Sequence, residues 1–416
     1  MHIAFLLGRF PSLSETFILN QITALIDRGH EVDIYARKPG DGDKVHPDID
    51  KYHLRDRVVY RNMPGNAVWR AIKAIGLAAG GSMRKPGAVF GALNFARHGR
   101  EAASLKLLYW TAAFLIRGRK YDIVHAHFGP NGLLAVALRQ IGAIDSSTKI
   151  VTTFYGYDVH RYPRNHGQDV YRPLFDRGDL ILTLSQTMKQ DLVALGCDPD
   201  KAVVHHIGTN PTRFCLSIRQ PPSDAVVRLV SVARLVEKKG LEYAIQAVAK
   251  VSAAGQTVVY DIVGDGDLRG QLESLIRELK LEGIVNLLGW QSQQEVVAIL
   301  DRSHLLLAPS VTAASGDQEG TPVALMEAMA IGLPVITTRH SGIPEMVRDG
   351  ICGYLVPERD ADALADRILD LARHPERWAA MGTAGRAIVE SEFDTRKLGD
   401  DLVELYRGLT IHDKSA

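Results

Sequence analysis

Short apolar runs alternate with stretches of helical periodicity along almost the whole chain, the rhythm of parallel strands covered by helices on both faces. The opening segment sets the pattern. It predicts a strand over 2–7 ending at Gly8 and a polar loop offering Ser12 and Ser14 as helix caps. One helical face of Ile18, Ile22, Leu25 and Ile26 follows, stopping at Gly29 before a strand over 31–36. Further strands are expected at 122–126, 149–154, 180–184 and 203–207. The stretch 217–226 has two prolines and no periodicity, so a domain boundary is placed there. A second series follows, with strands near 227–232, 258–263, 284–288, 304–308, 334–338 and 353–356, then helices over 360–374, 376–390 and 395–409. The expected fold class is α/β, with two doubly wound, Rossmann-like domains over 1–216 and 227–390. In such folds ligands bind at the carboxyl ends of the strands, so a site in a cleft between the domains is expected.

Composition narrows the class. With 416 residues, 46% hydrophobic and 23% charged, the chain is globular and long enough for two cores, which excludes disorder and collagen-like structure. Three cysteines, Cys197, Cys215 and Cys352, lie far apart, which fits a reducing cytosol better than a disulfide framework. Met1 leads directly into a strand, and no run of about 18 apolar residues occurs, so neither an export signal nor a membrane span is expected.

Charge is unevenly distributed. Residues 1–220 hold 29 Lys+Arg against 19 Asp+Glu, and 221–416 hold 20 against 29. Within 51–120 the ratio sharpens to 14 against 2, interleaved with Val68, Trp69, Ile72, Ile75, Phe90, Phe95, Tyr109 and Trp110. Basic heads with aromatic and aliphatic neighbours suit an anionic membrane surface, although a basic domain face with its apolar residues turned inward has the same composition. Nucleic acid is not expected as a partner, because no recognisable module for it accompanies the charge.

The most informative stretch is Glu319-Gly320-Thr321-Pro322-Val323-Ala324-Leu325-Met326-Glu327. Thr321 is expected to cap a helix whose first residue is Pro322, whose missing N–H has no intrahelical partner anyway. The free amides of that N-terminus form an anion site, and Gly320 lets a phosphate approach the backbone. Glu319 can then reach the group attached to the phosphate, and Glu327 can accept hydroxyl hydrogens from a ribose. Taken singly, each could be a surface charge, but Glu327 stands in an otherwise apolar helix where an unpaired charge is costly. Cations for the anion are available at Arg234-Leu235-Val236-Glu237-Lys238-Lys239-Gly240: Arg234 can grip two phosphate oxygens and Lys239 supply a point charge. Pairing with Glu237 on the surface is the bland alternative. Asp265-Gly266-Asp267 and Asp41-Gly42-Asp43 mimic metal sites but are ordinary turn chemistry, and His125-x-His127 lacks a nearby third ligand, so no metal and no cofactor are expected.

Six elements in order resemble the retaining GT-B glycosyltransferases of family 4: the Arg234–Gly240 turn, Val-Gly-Asp-Gly at 263–266, Leu-Gly-Trp at 288–290, the paired glutamates at 319 and 327, Gly-Leu-Pro-Val-Ile at 332–336, and Gly-Tyr-Leu-Val-Pro at 353–357. Weaker echoes at 9–17, 125–129 and 153–158 resemble the subgroup that builds exopolysaccharides such as colanic acid and amylovoran. The basic stretch 51–120 points to an acceptor linked to polyprenyl diphosphate, and the resemblance implies a UDP- or GDP-sugar donor and a glycan acceptor. It also implies a cytoplasmic enzyme, peripheral on the inner face of the membrane, and a C-terminal segment, 391–416, that crosses back to the first domain. It assigns the diphosphate to Arg234 and Lys239, the transferred sugar to Glu319 and the ribose to Glu327. Gly320, Thr321, Pro322 and Val323 form the phosphate-binding turn, while Gly264, Gly266, Gly289 and Trp290 line the donor site. His127, Tyr155 and Asp158 are implied beside the reacting sugar. Relatives often read Phe-His-Gly where this chain has Phe154-Tyr155-Gly156, and a phenol donates a hydrogen bond but cannot shuttle a proton near neutral pH. Arg9, Ser12 and Ser14 form a candidate acceptor or phosphate loop. A nucleotide-sugar epimerase or hydrolase of the same fold, or a non-catalytic nucleotide-sugar binder, is the competing reading.

Overall fold

The computed structural model describes residues 1–12, 15–40, 46–96 and 102–411. Two compact units divide the chain, one made of Met1–Thr183, Lys189–His205 and the segment from Gly399, the other of Leu184–Met188 and His206–Leu398.

The first unit carries a seven-stranded parallel sheet of β1 (His2–Phe10), β2 (Glu31–Pro39), β3 (Val58–Tyr60), β4 (Ile123–His127), β5 (Lys149–Thr153), β6 (Leu180–Thr183) and β7 (Ala202–Val204), in the order β3-β2-β1-β4-β5-β6-β7. The second carries a six-stranded parallel sheet of β8 (Val227–Val232), β9 (Val258–Val263), β10 (Val285–Gly289), β11 (Leu305–Ala308), β12 (Val335–Thr338) and β13 (Gly353–Val356), in the order β10-β9-β8-β11-β12-β13. Each sheet reverses direction of growth beside its first strand, between β1 and β4 and between β8 and β11. That is the doubly wound arrangement, with its ligand position at the reversal. The strands are nearly continuous apolar runs because helices bury both faces.

The first core gathers Phe5, Leu7, Ile22, Leu25 and Ile34, joined by Leu402, Val403 and Tyr406 of the last helix, Thr395–Ile411. The second gathers Leu229, Tyr260, Ile262, Ile336, Ile245, Ile368 and Trp378. Full burial of one such side chain stabilises by roughly 1.5–3 kcal/mol, so these two clusters hold the sheets.

Four details differ from the sequence reading. Strand β1 does not end at Gly8 but runs to Phe10, with Arg9 paired to Lys38, because β2 continues alongside it to Pro39. Strand β3 is not expected from the sequence, since Val58-Val59-Tyr60 stands between Arg57 and Arg61 in the basic stretch and is only half-buried. The chain enters the second unit at His206, ahead of 217–226. There Ser217 N–H donates to Ile331 O at 2.9 Å and Arg386 donates to Phe214 O at 2.7 Å, so the approach to the proline-bearing stretch is already packed on that unit. The helix expected to begin at Pro322 spans Val323–Ile331; Pro322 holds the cap position, and Thr321 makes no capping bond.

Candidate active site

In the second unit the loops after β8 and β11 meet at the sheet reversal. Gly240 makes the meeting possible: its φ is +58°, and a side chain there would place a Cβ 2.0 Å from Pro309 O. Lys239 consequently reaches Glu319, with Nζ 2.5 Å from Oε2 in an ion pair. Burial alone would raise the Glu319 carboxyl, but the ammonium groups of Lys239 and Lys238 outweigh it and hold the group at about 2. Lys238 fastens the same loop, 3.3 Å from Asp317 Oδ1 and donating to Gln318 O at 3.1 Å. Glu237 is not the surface partner of Arg234, since its Oε1 accepts the Ala314 N–H at 2.7 Å. Arg234 is exposed, and among the described residues its side chain has no hydrogen-bond or ion-pair partner.

The loop after β9 closes on the other side of Arg234. Ala233 N–H donates to Val263 O at 2.9 Å and Leu235 N–H to Asp265 O at 3.0 Å. Gly264, with φ +127°, lies so close that a Cβ would stand 2.0 Å from Ala233 O, and Gly266 packs on Leu235 in the same way. Gly264 N–H bonds Gly289 O at 2.8 Å, which sets the end of β10 next in line with Trp290 largely exposed beside it. Asp265 Oδ1 accepts the Gly266 N–H at 2.8 Å, so this aspartate is occupied as a turn residue.

Beyond Glu319, the amides of Gly320, Thr321 and Val323 open the helix Val323–Ile331, an apolar helix buried almost all round. Glu327 is the exception within it. Burial raises its carboxyl to about 7, and no partner within the described residues offsets that.

The first unit holds a different cluster. His127 ends β4 with its ring stacked on Phe5, and its Nδ1 lies 2.6 Å from the Tyr155 hydroxyl, while Nε2 is buried with no hydrogen-bond partner among the described residues. Burial pushes the imidazole down to about 3, so it works as a neutral ring, and burial likewise pushes the Tyr155 phenol up. His125 is committed on both sides, 2.7 Å from Thr153 Oγ1 and 2.6 Å from the Tyr406 hydroxyl. Asp158 accepts three backbone N–H groups, from Gly129 at 2.8 Å, Tyr155 at 2.9 Å and Gly156 at 3.1 Å. It shapes the loop carrying Tyr155 and has no oxygen free of the main chain. Arg9 lies on β1 and Ser12 in the loop after it, while Ser14, like Asp41 and Asp43, lies outside the described residues.

Known proteins can be set beside this geometry. The family description Glycosyltransferase Family 4 matches residues 14–213, and Glycosyl transferases group 1 matches 220–388. A putative colanic acid biosynthesis glycosyltransferase, WcaL of Salmonella typhimurium, is 40% identical over 97% of this chain and 99% of its own. The amylovoran biosynthesis glycosyltransferase AmsK of Erwinia amylovora is 38% identical over 98% and 100%. The chain belongs to this glycosyltransferase family. Among solved structures, HepE of Anabaena in complex with UDP-glucose superposes with a TM-score of 0.71 over 98% of this chain and 100% of that one, at 18% identity, a likeness of GT-B fold.

Two residues of the glycosyltransferase to which the sequence did not point support the Glu319 loop. His340, after β12, accepts the Glu319 N–H on Nε2 at 3.0 Å, and its Nδ1 lies 2.6 Å from Glu358, after β13. No local spacing ties residues 319, 340 and 358 together; only adjacency of β11, β12 and β13 does.

Proposed function

We propose that this glycosyltransferase moves a sugar from a UDP- or GDP-sugar to a glycan acceptor linked to polyprenyl diphosphate, with retention at the anomeric carbon, in synthesis of a bacterial exopolysaccharide. The observation that carries the reading is the Lys239–Glu319 pair set directly before a helix N-terminus, with Arg234 unpartnered on the neighbouring strand end. Ammonium, guanidinium and amides offset the charge that builds on a departing diphosphate. The bond from the anomeric carbon to the phosphate oxygen breaks, the acceptor oxygen bonds that carbon from the same face, and the acceptor proton passes to a diphosphate oxygen. Glu319, ionised throughout the working range, stabilises the positive charge developing on the sugar. In this reading the fixed cations do the work, and the transfer proceeds without a metal. The names of WcaL and AmsK support the exopolysaccharide, and the UDP-glucose held by HepE supports the donor class.

A thermal-shift panel of UDP-glucose, UDP-galactose, GDP-mannose and GDP-fucose, followed by turnover with membrane lipid extract, tests this. Stabilisation by a nucleotide sugar and turnover that requires the lipid extract are expected. Donor turnover indifferent to added acceptor would favour an epimerase or hydrolase, and binding without turnover a sensor.

The same reading places the enzyme peripherally on an anionic membrane, where a lipid-linked acceptor resides. No helix among the described residues is long and apolar enough to cross a membrane. Support comes from the helix Ala67–Arg84, capped by the Asn66 side chain. Val68, Ile72, Ile75 and Met83 fall within an arc of about 80° at helical spacing. All four are exposed, Ile75 at 72% and Met83 at 90%, and so is Trp69, while Ala74 and Gly81 on the opposite face are buried. From Arg57 to Arg100 the chain has basic residues and no acidic one. Arg84 and Lys85 are exposed here, whereas Arg97 and Arg100 lie outside the described residues. Sedimentation with vesicles of anionic lipid should be lost on changing Ile72 and Ile75 to Ser and neutralising Arg84 and Lys85. Undiminished binding by that variant would reject the surface.

A further inference from the structure

The order β8-β11-β12-β13 brings together three strand ends that no motif links. A backbone N–H can only donate, so the bond from Glu319 N–H leaves Nε2 of His340 as the bare nitrogen and Nδ1 as the one carrying the proton. That proton is donated to Glu358 Oε1 at 2.6 Å. Glu358 in turn accepts the Thr312 N–H on Oε2 at 2.8 Å and lies 3.3 Å from the Thr312 hydroxyl on Oε1. The loop from Thr312 to Glu319 is thereby fastened at both ends to the tips of β12 and β13 through an imidazole that is 1% exposed. Glu237 and Lys238 hold only its middle, at Ala314, Asp317 and Gln318.

We propose that His340, oriented by Glu358, is a positioning residue for transfer: its bare Nε2 fixes the main chain at Glu319 and thereby aims the carboxylate and the helix N-terminus behind it. This rests on Glu319 acting in the reaction as set out above. A group that stabilises charge only in the transition state loses its effect when displaced, so the penalty falls on kcat, while Arg234 and Glu327 continue to hold the donor.

Two substitutions separate the two nitrogens. His340→Gln sets an amide oxygen where Nε2 stood and keeps an acceptor for the Glu319 N–H; His340→Asn sets an amide near Nδ1, keeping Glu358 and leaving that N–H without its acceptor. Using the best donor of the panel above with membrane lipid extract, His340→Ala and His340→Asn should lower kcat by about 10- to 100-fold, with donor KM changed less than about twofold. His340→Gln should return to within about threefold of the parent. A purely structural histidine would make turnover follow the thermal midpoint whichever nitrogen is replaced. Asn as active as Gln, or an Ala variant with unchanged kcat, overturns the proposal, and if the Ala variant does not fold the Gln and Asn pair decides. Glu319→Ala in the same assay separates the levels. Full turnover there removes the functional reading itself, whereas an inactive Glu319→Ala beside fully active His340 variants removes only the positioning role.

Discussion

The two units share a sheet design but prepare opposite electrostatic environments at their strand ends. In the second unit a buried carboxylate is held ionised by two ammonium groups, beside an unpartnered guanidinium and free helix amides. In the first, imidazoles and phenols sit against aromatic rings with their charged forms suppressed by burial. The contrast shows how a doubly wound scaffold takes its chemistry from its loops: one set gathers charged groups, the other keeps its imidazole and phenol rings neutral.

The largest test of that contrast is Glu319→Ala, expected to lower kcat on the order of 1,000-fold while the protein stays folded, as measured by initial rates and a thermal midpoint. An active variant would mean that the charged cluster is structural only. Arg234→Ala comes next, with donor KM raised about 10- to 100-fold by the loss of a bidentate anion grip. Its thermal midpoint should stay put, because the Arg234 side chain makes no hydrogen bond or ion pair among the described residues. On the neutral side, Tyr155→Phe removes the hydroxyl that meets His127 and should cost about tenfold or less in kcat. The loss should be the same between pH 7 and 8, where both groups are neutral and the neighbouring Asp158 carboxyl, raised by burial to about 6, is already ionised; a strongly pH-dependent loss there would mean that one of the two rings carries charge.

The last test is read on stability and not on turnover. Glu327 is raised from 4.5 to about 7, so its contribution is fully present below about pH 4.5 and is lost as pH rises through 7, a span of about 3 kcal/mol. Glu327→Gln should therefore narrow the difference in unfolding free energy between pH 4.5 and pH 8. An unchanged difference would show that the carboxylate finds a partner when it ionises.

Much of this is legible in the sequence. Twelve of the strands announce themselves as apolar runs, and the turn at 234–240 with the glutamates at 319 and 327 marks the charged loops. The short edge strand β3 escaped, and the start of the helix after Gly320 was placed too early, because threonine before proline reads as a cap whether or not its side chain makes the bond. Glu237 and Lys238 were visible only as neighbours of Lys239, and Asp158 gave no sign that three backbone amides would occupy it.

By itself the sequence determined the class of fold, the order of its elements and which charged residue types stand close together along the chain, because periodicity and local spacing are properties of neighbours along the chain. Only the tertiary structure decided that Lys239 pairs with Glu319, that burial raises Glu327 with no offsetting partner among the described residues, and that His340 and Glu358 stand behind the loop. Those relations depend on which strands lie side by side and on what burial does to a charge, and both are set when the sheet closes.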